Sequence, residues 1–139
     1  MAKVAVVYWS GTGNTEAMAE EVAVGAKEKG AEVTLFQASE FSADKIEEFD
    51  AIAFGCPAMG DEELEDAEFE PMFSDCEPKL GSKPIALFGS YSWADGAWME
   101  NWKDRCAGSG LNVVDSVIAY DAPDDEAKEA CRALGASLA

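Results

Sequence analysis

Apolar runs alternate with helical patterns along the whole chain. Lys3–Tyr8, Val33–Phe36, Ala51–Cys56, Pro84–Gly89 and Val113–Tyr120 read as strands. Most are near-continuous apolar runs, the signature of parallel strands covered on both faces. Between the first two, Thr15–Lys29 places Met18, Ala19, Val22, Ala23 and Ala26 on one stripe at helical spacing. Glu16, Glu20 and Glu21 stand near its start, Lys27 and Lys29 near its end and Gly30 just beyond, an order that suits the helix dipole and a glycine C-cap. Ala43–Glu48 reads as a short helix, and Glu68–Cys76 as a longer one with Pro71 in its first turn. Ala97–Gly108 carries Trp98, Trp102 and Cys106 at amphipathic spacing. Pro123 and Asp124 open a last helix with an apolar stripe of Ala127, Ala130, Cys131 and Leu134. The pattern predicts an α/β fold: a single-domain, doubly wound, five-stranded parallel sheet over residues 1–139, with right-handed crossovers and helices on both faces.

Composition narrows what such a sheet could do. A formal charge of −18 makes nucleic acid and anionic membrane surfaces repulsive partners, while a hydrophobic fraction of 48% argues against disorder. That charge favours a basic protein partner, or serves solubility alone. Histidine is absent, which removes histidine triads, histidine general bases and most zinc sites. Cys56, Cys76, Cys106 and Cys131 form no CxxC pair, so no metal site is expected and buried thiols in a reducing cytoplasm are. MAKVAVVYW reads as the start of a strand rather than a signal peptide, and no apolar run approaches a membrane span.

In a doubly wound sheet, ligands bind outside the carboxyl ends of the strands, where strand order reverses. Three of the loops there are conspicuous. The first is SGTGNT, Ser10 to Thr15: two glycines that let successive N–H groups converge, a following helix with its positive end, and neutral donors in Ser10, Thr12, Asn14 and Thr15. A phosphate can be held there entirely by dipoles. An ordinary N-capped turn would need only Asn14 or Thr15. The loop is not a P-loop, since its lysine is missing, and not the dinucleotide motif, since Glu16 follows Thr15. The second is CPAMGDEE, Cys56 to Glu63, where Met-Gly-Asp reads as a tight turn with Met59 at its tip, able to cover a planar ligand. The carboxylate run DEELEDAEFE beyond it could equally be a solvated face. The third is GSYSWADGAW, in which Tyr91 and Trp93 lie two apart beyond a buried strand, to stack on something flat or to fold back on the core. A phosphate cradle and two such loops around one crevice suggest a planar heterocycle carrying a single phosphate.

YWSGTGNTE, GCPAMGDEELED and FGSYSWADGAWM together resemble the phosphate loop, central loop and aromatic loop of the flavodoxins, specifically the short-chain type of anaerobic bacteria, and the resemblance runs over essentially the whole chain. It implies strand order 2-1-3-4-5 and a low-potential, FMN-binding, one-electron carrier with no catalytic residues. Ser10, Gly11, Thr12, Gly13, Asn14 and Thr15 would hold the FMN phosphate, with Trp9 packed beside them. Pro57 and Ala58 would lead to Met59 on the inner ring face, and Trp93 would cover the outer one. Gly60 would allow the peptide after Met59 to flip on reduction, and Asp61 and Glu62 would address the N5 and N3 regions. Gly89, Ser90, Tyr91 and Ser92 would supply backbone contacts to the pyrimidine edge, with Asp121 and Ala122 bordering the ring. Three departures from the family pattern stand out: Pro57 where some relatives have serine, Ser92 and Ala94 for glycines, and Asp121 where asparagine is common.

On the same resemblance, a backbone carbonyl near N5 would stabilise the neutral semiquinone. Like charges would disfavour the reduced anion, so the working couple is semiquinone/hydroquinone. An acidic rim of Asp61, Glu62, Glu63, Glu65 and Asp66 would steer basic redox proteins into transient docking with a monomer. The alternative is a small FMN-dependent reductase of quinones or nitro compounds, which would need a substrate cavity over the ring.

Overall fold

The computed structural model describes residues 2–11, 13–59, 64–91 and 96–139. Strands β1 (Lys3–Tyr8), β2 (Glu32–Gln37), β3 (Ala51–Gly55), β4 (Pro84–Tyr91) and β5 (Asn112–Tyr120) form one parallel sheet in the order β2-β1-β3-β4-β5. Helices α1 (Asn14–Glu28), α2 (Phe69–Leu80), α3 (Ala97–Gly108) and α4 (Asp125–Leu138) alternate with the strands, and two short 3-10 segments, Ala38–Glu40 and Ala43–Glu48, precede β3. The doubly wound sheet and its order are those expected. Strand order reverses between β1 and β3, which places the crevice at their carboxyl ends.

Successive side chains of each central strand go to opposite faces. Val4, Val6, Ala53 and Phe88 meet Met18 and Val22 of α1 and Cys131 and Leu134 of α4 on one side. Val7, Ile52, Phe54 and Leu87 meet Phe69 and Phe73 of α2 and Trp98 and Trp102 of α3 on the other. The central strands are buried almost throughout, whereas β2 and β5, at the edges, alternate between covered and exposed. The two helical layers pack differently. Between α1 and α4 the backbones touch: a Cβ on Gly25 would lie 1.8 Å from the Arg132 carbonyl oxygen, and one on Gly135 would lie 1.9 Å from that of Val22. Arg132 Nη1 adds a 2.5 Å bond to Glu21. Between α2 and α3, bulky rings interlock, with Trp102 edge-on to Phe69 and Phe73. Arg105 clamps Glu70 and Glu77 at 2.6 and 2.7 Å.

Two boundaries depart from the sequence reading by more than one residue. Helix α2 runs to Leu80, through Pro78, rather than stopping at Cys76. A proline so near the end forfeits one intrahelical bond, and the buried Leu80 beyond it keeps the last turn seated on the core. Strand β4 continues past Gly89, because Ser90 and Tyr91 pair with Ala119 and Tyr120 of β5. Two residues expected in a loop are thereby fixed on the sheet.

Candidate functional site

The carboxyl ends of β1, β3, β4 and β5 surround a cavity of about 420 Å³, lined by Trp9, Gly11, Asn14, Pro57, Ala58, Met59, Ser90, Tyr91 and Asp121. Its walls are mostly apolar, with Asn14, Ser90 and Asp121 as the polar points. Among the described residues, no lysine or arginine lines it.

At the β1 end the chain turns from Trp9 into α1. Trp9 N–H donates to the Gly55 carbonyl at 3.0 Å, and its indole Nε1 to Glu68 Oε1 at 3.0 Å. The ring lies beside Gly11, where an added Cβ would sit 3.0 Å from it. Gly13 is left-handed at φ 94°, a conformation glycine adopts without cost. The cap comes from neither Asn14 nor Thr15: Ser10 Oγ accepts from Gly13 N at 3.0 Å and Glu16 N at 3.3 Å. The amides of Asn14 and Thr15 have no acceptor among the described residues and form the open, positive end of the helix. Thr15 is turned inward and buried, its hydroxyl 3.4 Å from that of Ser90. Tyr8 donates its hydroxyl to Glu16 at 3.1 Å, and burial, then that bond, push its pKa up. Tyr8, Glu16 and Glu68 line a smaller cavity of about 270 Å³ that shares Trp9 with the larger one.

At the β3 end, Cys56 is wholly buried and Pro57–Met59 form one wall. Ala58 N–H donates to the Ser90 carbonyl at 3.1 Å, which ties that wall to β4. Gly89 does not line the cavity. It packs behind it, where a Cβ would overlap the Cys56 carbonyl oxygen at 2.1 Å. Tyr91 lies between Trp98 and Tyr120, 5.6 and 5.5 Å away between centroids. Its carbonyl accepts from Asp121 N at 2.7 Å, and Asp121 adopts φ 53°. Aspartate tolerates that left-handed conformation better than most residues.

Glu65 departs from its expected place on an acidic rim. It is 6% exposed, and its carboxylate accepts from Ala67, Glu68 and Phe69 N–H, each at 2.8 Å. Burial alone would raise its pKa, but the three amide bonds outweigh burial and hold the carboxyl below its ordinary value. It is the anion that closes the start of α2, while Asp66 beside it is exposed. Sequence reasoning also missed Glu68 as the partner of the Trp9 indole, since the run DEELEDAEFE reads as uniform surface charge. Thr12, Gly60, Asp61, Glu62, Glu63, Ser92 and Trp93, with the departure at Ala94, lie outside the described residues.

The four thiols are free and buried; burial pushes Cys76 and Cys131 up to about 12 and Cys106 to about 11. Among the described residues no group of histidine, cysteine or acidic side chains is arranged to hold a metal ion, and no helix is long and apolar enough to cross a membrane.

Comparison with known proteins agrees with this arrangement. The flavodoxin family model matches residues 6–135. The chain is 46% identical to a flavodoxin of Megasphaera elsdenii over 98% of both chains. It is 43% identical to one of Clostridium beijerinckii over 96% of this chain and 97% of that one. The solution structure of two-electron reduced M. elsdenii flavodoxin superposes with a TM-score of 0.90 at 45% identity, covering 97% of each chain. An archaeal flavodoxin does so at 0.85 and 28% identity, covering 98% of this chain and 95% of that one. The chain thus belongs to the flavodoxin family, FMN-binding carriers of electrons rather than enzymes.

Proposed function

We propose that the 420 Å³ cavity is the FMN site of one domain spanning the chain, and that the protein works as a low-potential carrier cycling between one-electron-reduced and fully reduced flavin. The observation that carries the reading is the neutral, open start of α1 feeding directly into an apolar-walled crevice. The residues present fit the group. Two unengaged amides and a neutral loop suit a phosphate, and Met59, Tyr91 and Trp9 offer surfaces for a flat ring. When bound, FMN supplies the redox chemistry itself.

The chain's own residues set the energies. Asn14 and Thr15 N–H would hold the phosphate, with Ser10, Gly11, Thr12 and Gly13 shaping the loop. Pro57, Ala58 and Met59 would exclude water from one ring face and Trp93 from the other, with Gly60, Asp61, Glu62 and Ser92 completing the ring end. Asp121 at the cavity edge, within a chain of charge −18, opposes added negative charge and so lowers the potential. A cradle without lysine leaves that field uncompensated. Basic redox proteins would dock transiently beside exposed Asp66, with rates that fall as salt rises. Four unpaired, buried thiols support a reducing cytoplasmic setting.

The test is a stepwise dithionite titration of the purified protein, followed by visible absorption. The expected result is a yellow flavin spectrum that passes through a long-wavelength one-electron band before bleaching. Direct bleaching with no such band would overturn the cycle while leaving FMN binding intact.

A further inference from the structure

Cys56 differs from the other cysteines in what its sulfur touches. Cys56 Sγ accepts the Glu65 N–H at 3.4 Å and donates to the Pro57 carbonyl at 3.6 Å. Among the described residues it is the one thiol bonded to backbone in both directions; Cys76, by contrast, meets only Met72 Sδ at 3.8 Å. The rest of Cys56 is equally engaged. Its N–H donates to the Phe88 carbonyl at 3.0 Å, and its carbonyl accepts from Trp98 Nε1 at 3.1 Å. At the far end of the bond, Glu65 is anchored by its carboxylate to the amides of Ala67 and Glu68, which lead into α2, and of Phe69, its first residue. One thiol therefore joins the end of β3 to the start of α2 across the base of the segment that begins with Pro57, Ala58 and Met59. A main-chain tie also runs from that wall to β4, from Ala58 N–H to the Ser90 carbonyl.

Taking the cavity as the flavin site, as proposed above, we infer that Cys56 and Glu65 form a clasp that positions the Pro57–Met59 wall for the ring end of the cofactor. Neither residue lines the cavity; both act through the wall. A thiol suits the place because it sits in an apolar core at little cost yet still offers a weak donor and acceptor. Removing it leaves the buried Glu65 N–H without a partner and frees one end of the wall.

The experiment compares wild-type, Cys56→Ala and Cys56→Ser proteins. FMN and riboflavin dissociation constants are measured by flavin fluorescence, and exchange of the Glu65 amide hydrogen is followed in the FMN-loaded protein. In C56A both flavins are expected to weaken by the same factor, about five- to tenfold. The Glu65 amide exchanges faster, and C56S restores most of both losses. Equal weakening is the signature of the ring end, because riboflavin lacks the phosphate. C56A protein with a fast Glu65 amide but unchanged flavin constants would overturn the role and reduce the clasp to a structural staple. Loss of FMN affinity alone would overturn it too. Should C56A not fold, Cys56→Val fills the space without an acceptor and yields the same readings. Wild-type protein that binds neither flavin overturns the flavin reading itself, whereas tight binding indifferent to C56A overturns only the clasp.

Discussion

Two of the junctions that lead from a central strand into a helix, β1–α1 and β3–α2, treat the helix start in opposite ways. At β1–α1 the cap is a neutral hydroxyl, that of Ser10, which serves Gly13 and Glu16 and leaves the Asn14 and Thr15 amides open. At β3–α2 the cap is an internal anion: the Glu65 carboxylate takes three successive amides, is buried and stays charged. Every helix start attracts negative charge. Whether it becomes a binding site depends on whether the chain brings its own anion there. The first junction brings no anion of its own and faces a cavity; the second brings Glu65, which serves as an anchor for the wall beside that cavity.

The largest test removes the internal anion. Glu65→Ala should cost about 2–3 kcal/mol, because three amides, that of Phe69 buried, lose a charged acceptor, as read from urea unfolding. A loss under ~0.5 kcal/mol would mean that water replaces the carboxylate freely. The same contrast has a pH signature. The folded pKa of Glu65 lies below its unfolded one, so its contribution is complete above the unfolded value and is lost as pH falls through the folded value. Wild-type stability should therefore drop in the acid limb more steeply than that of Glu65→Gln. Parallel acid limbs would assign the drop elsewhere.

Gly13→Ala tests the open junction. Nothing lies within 4 Å of the added Cβ, so the cost is backbone strain at φ 94°, about 1–2 kcal/mol. FMN affinity should fall while riboflavin affinity holds. Ser10→Ala removes only the neutral cap, about 1 kcal/mol, and should again separate FMN from riboflavin; equal loss of both would place the loop's role away from the phosphate. The smallest effect is that of Asp121→Asn. Asparagine accepts the left-handed backbone as readily, so stability should hold, while the more negative midpoint potential rises by about 10–40 mV, the scale of a screened surface charge. A fall in potential would contradict the electrostatic account.

Much of the open junction can be read along the chain, because its chemistry is local. Gly11, Gly13, Ser10 and Asn14 lie within a few residues, and glycine and hydroxyl positions speak for themselves there. What cannot be read is which hydroxyl caps: Thr15 turns to Ser90, a partner on another strand. The closed junction is nearly illegible. Glu65 sits among other acids of the same type, and only the turn of Asp66–Glu68 back over it singles it out. Strands announce themselves by apolar runs, yet β4 gains Ser90 and Tyr91 from pairing with β5, which no local pattern encodes. Helix α2 passes Pro78 because Leu80 is buried beyond it, a tertiary gain that overrides a local stop signal.

The contact of Gly25 with the Arg132 carbonyl, and of Gly135 with that of Val22, has a consequence for biosynthesis. Helix α1, whose first turn borders the cavity, leaves the ribosome early, while α4 follows every strand of the sheet. Chains emerge at roughly 5–20 residues per second, so α1 waits several seconds for the backbone it packs against. It reaches its final seat only after residue 135 has been made. Cofactor loading that depends on a seated α1 is thereby expected to follow the synthesis of α4.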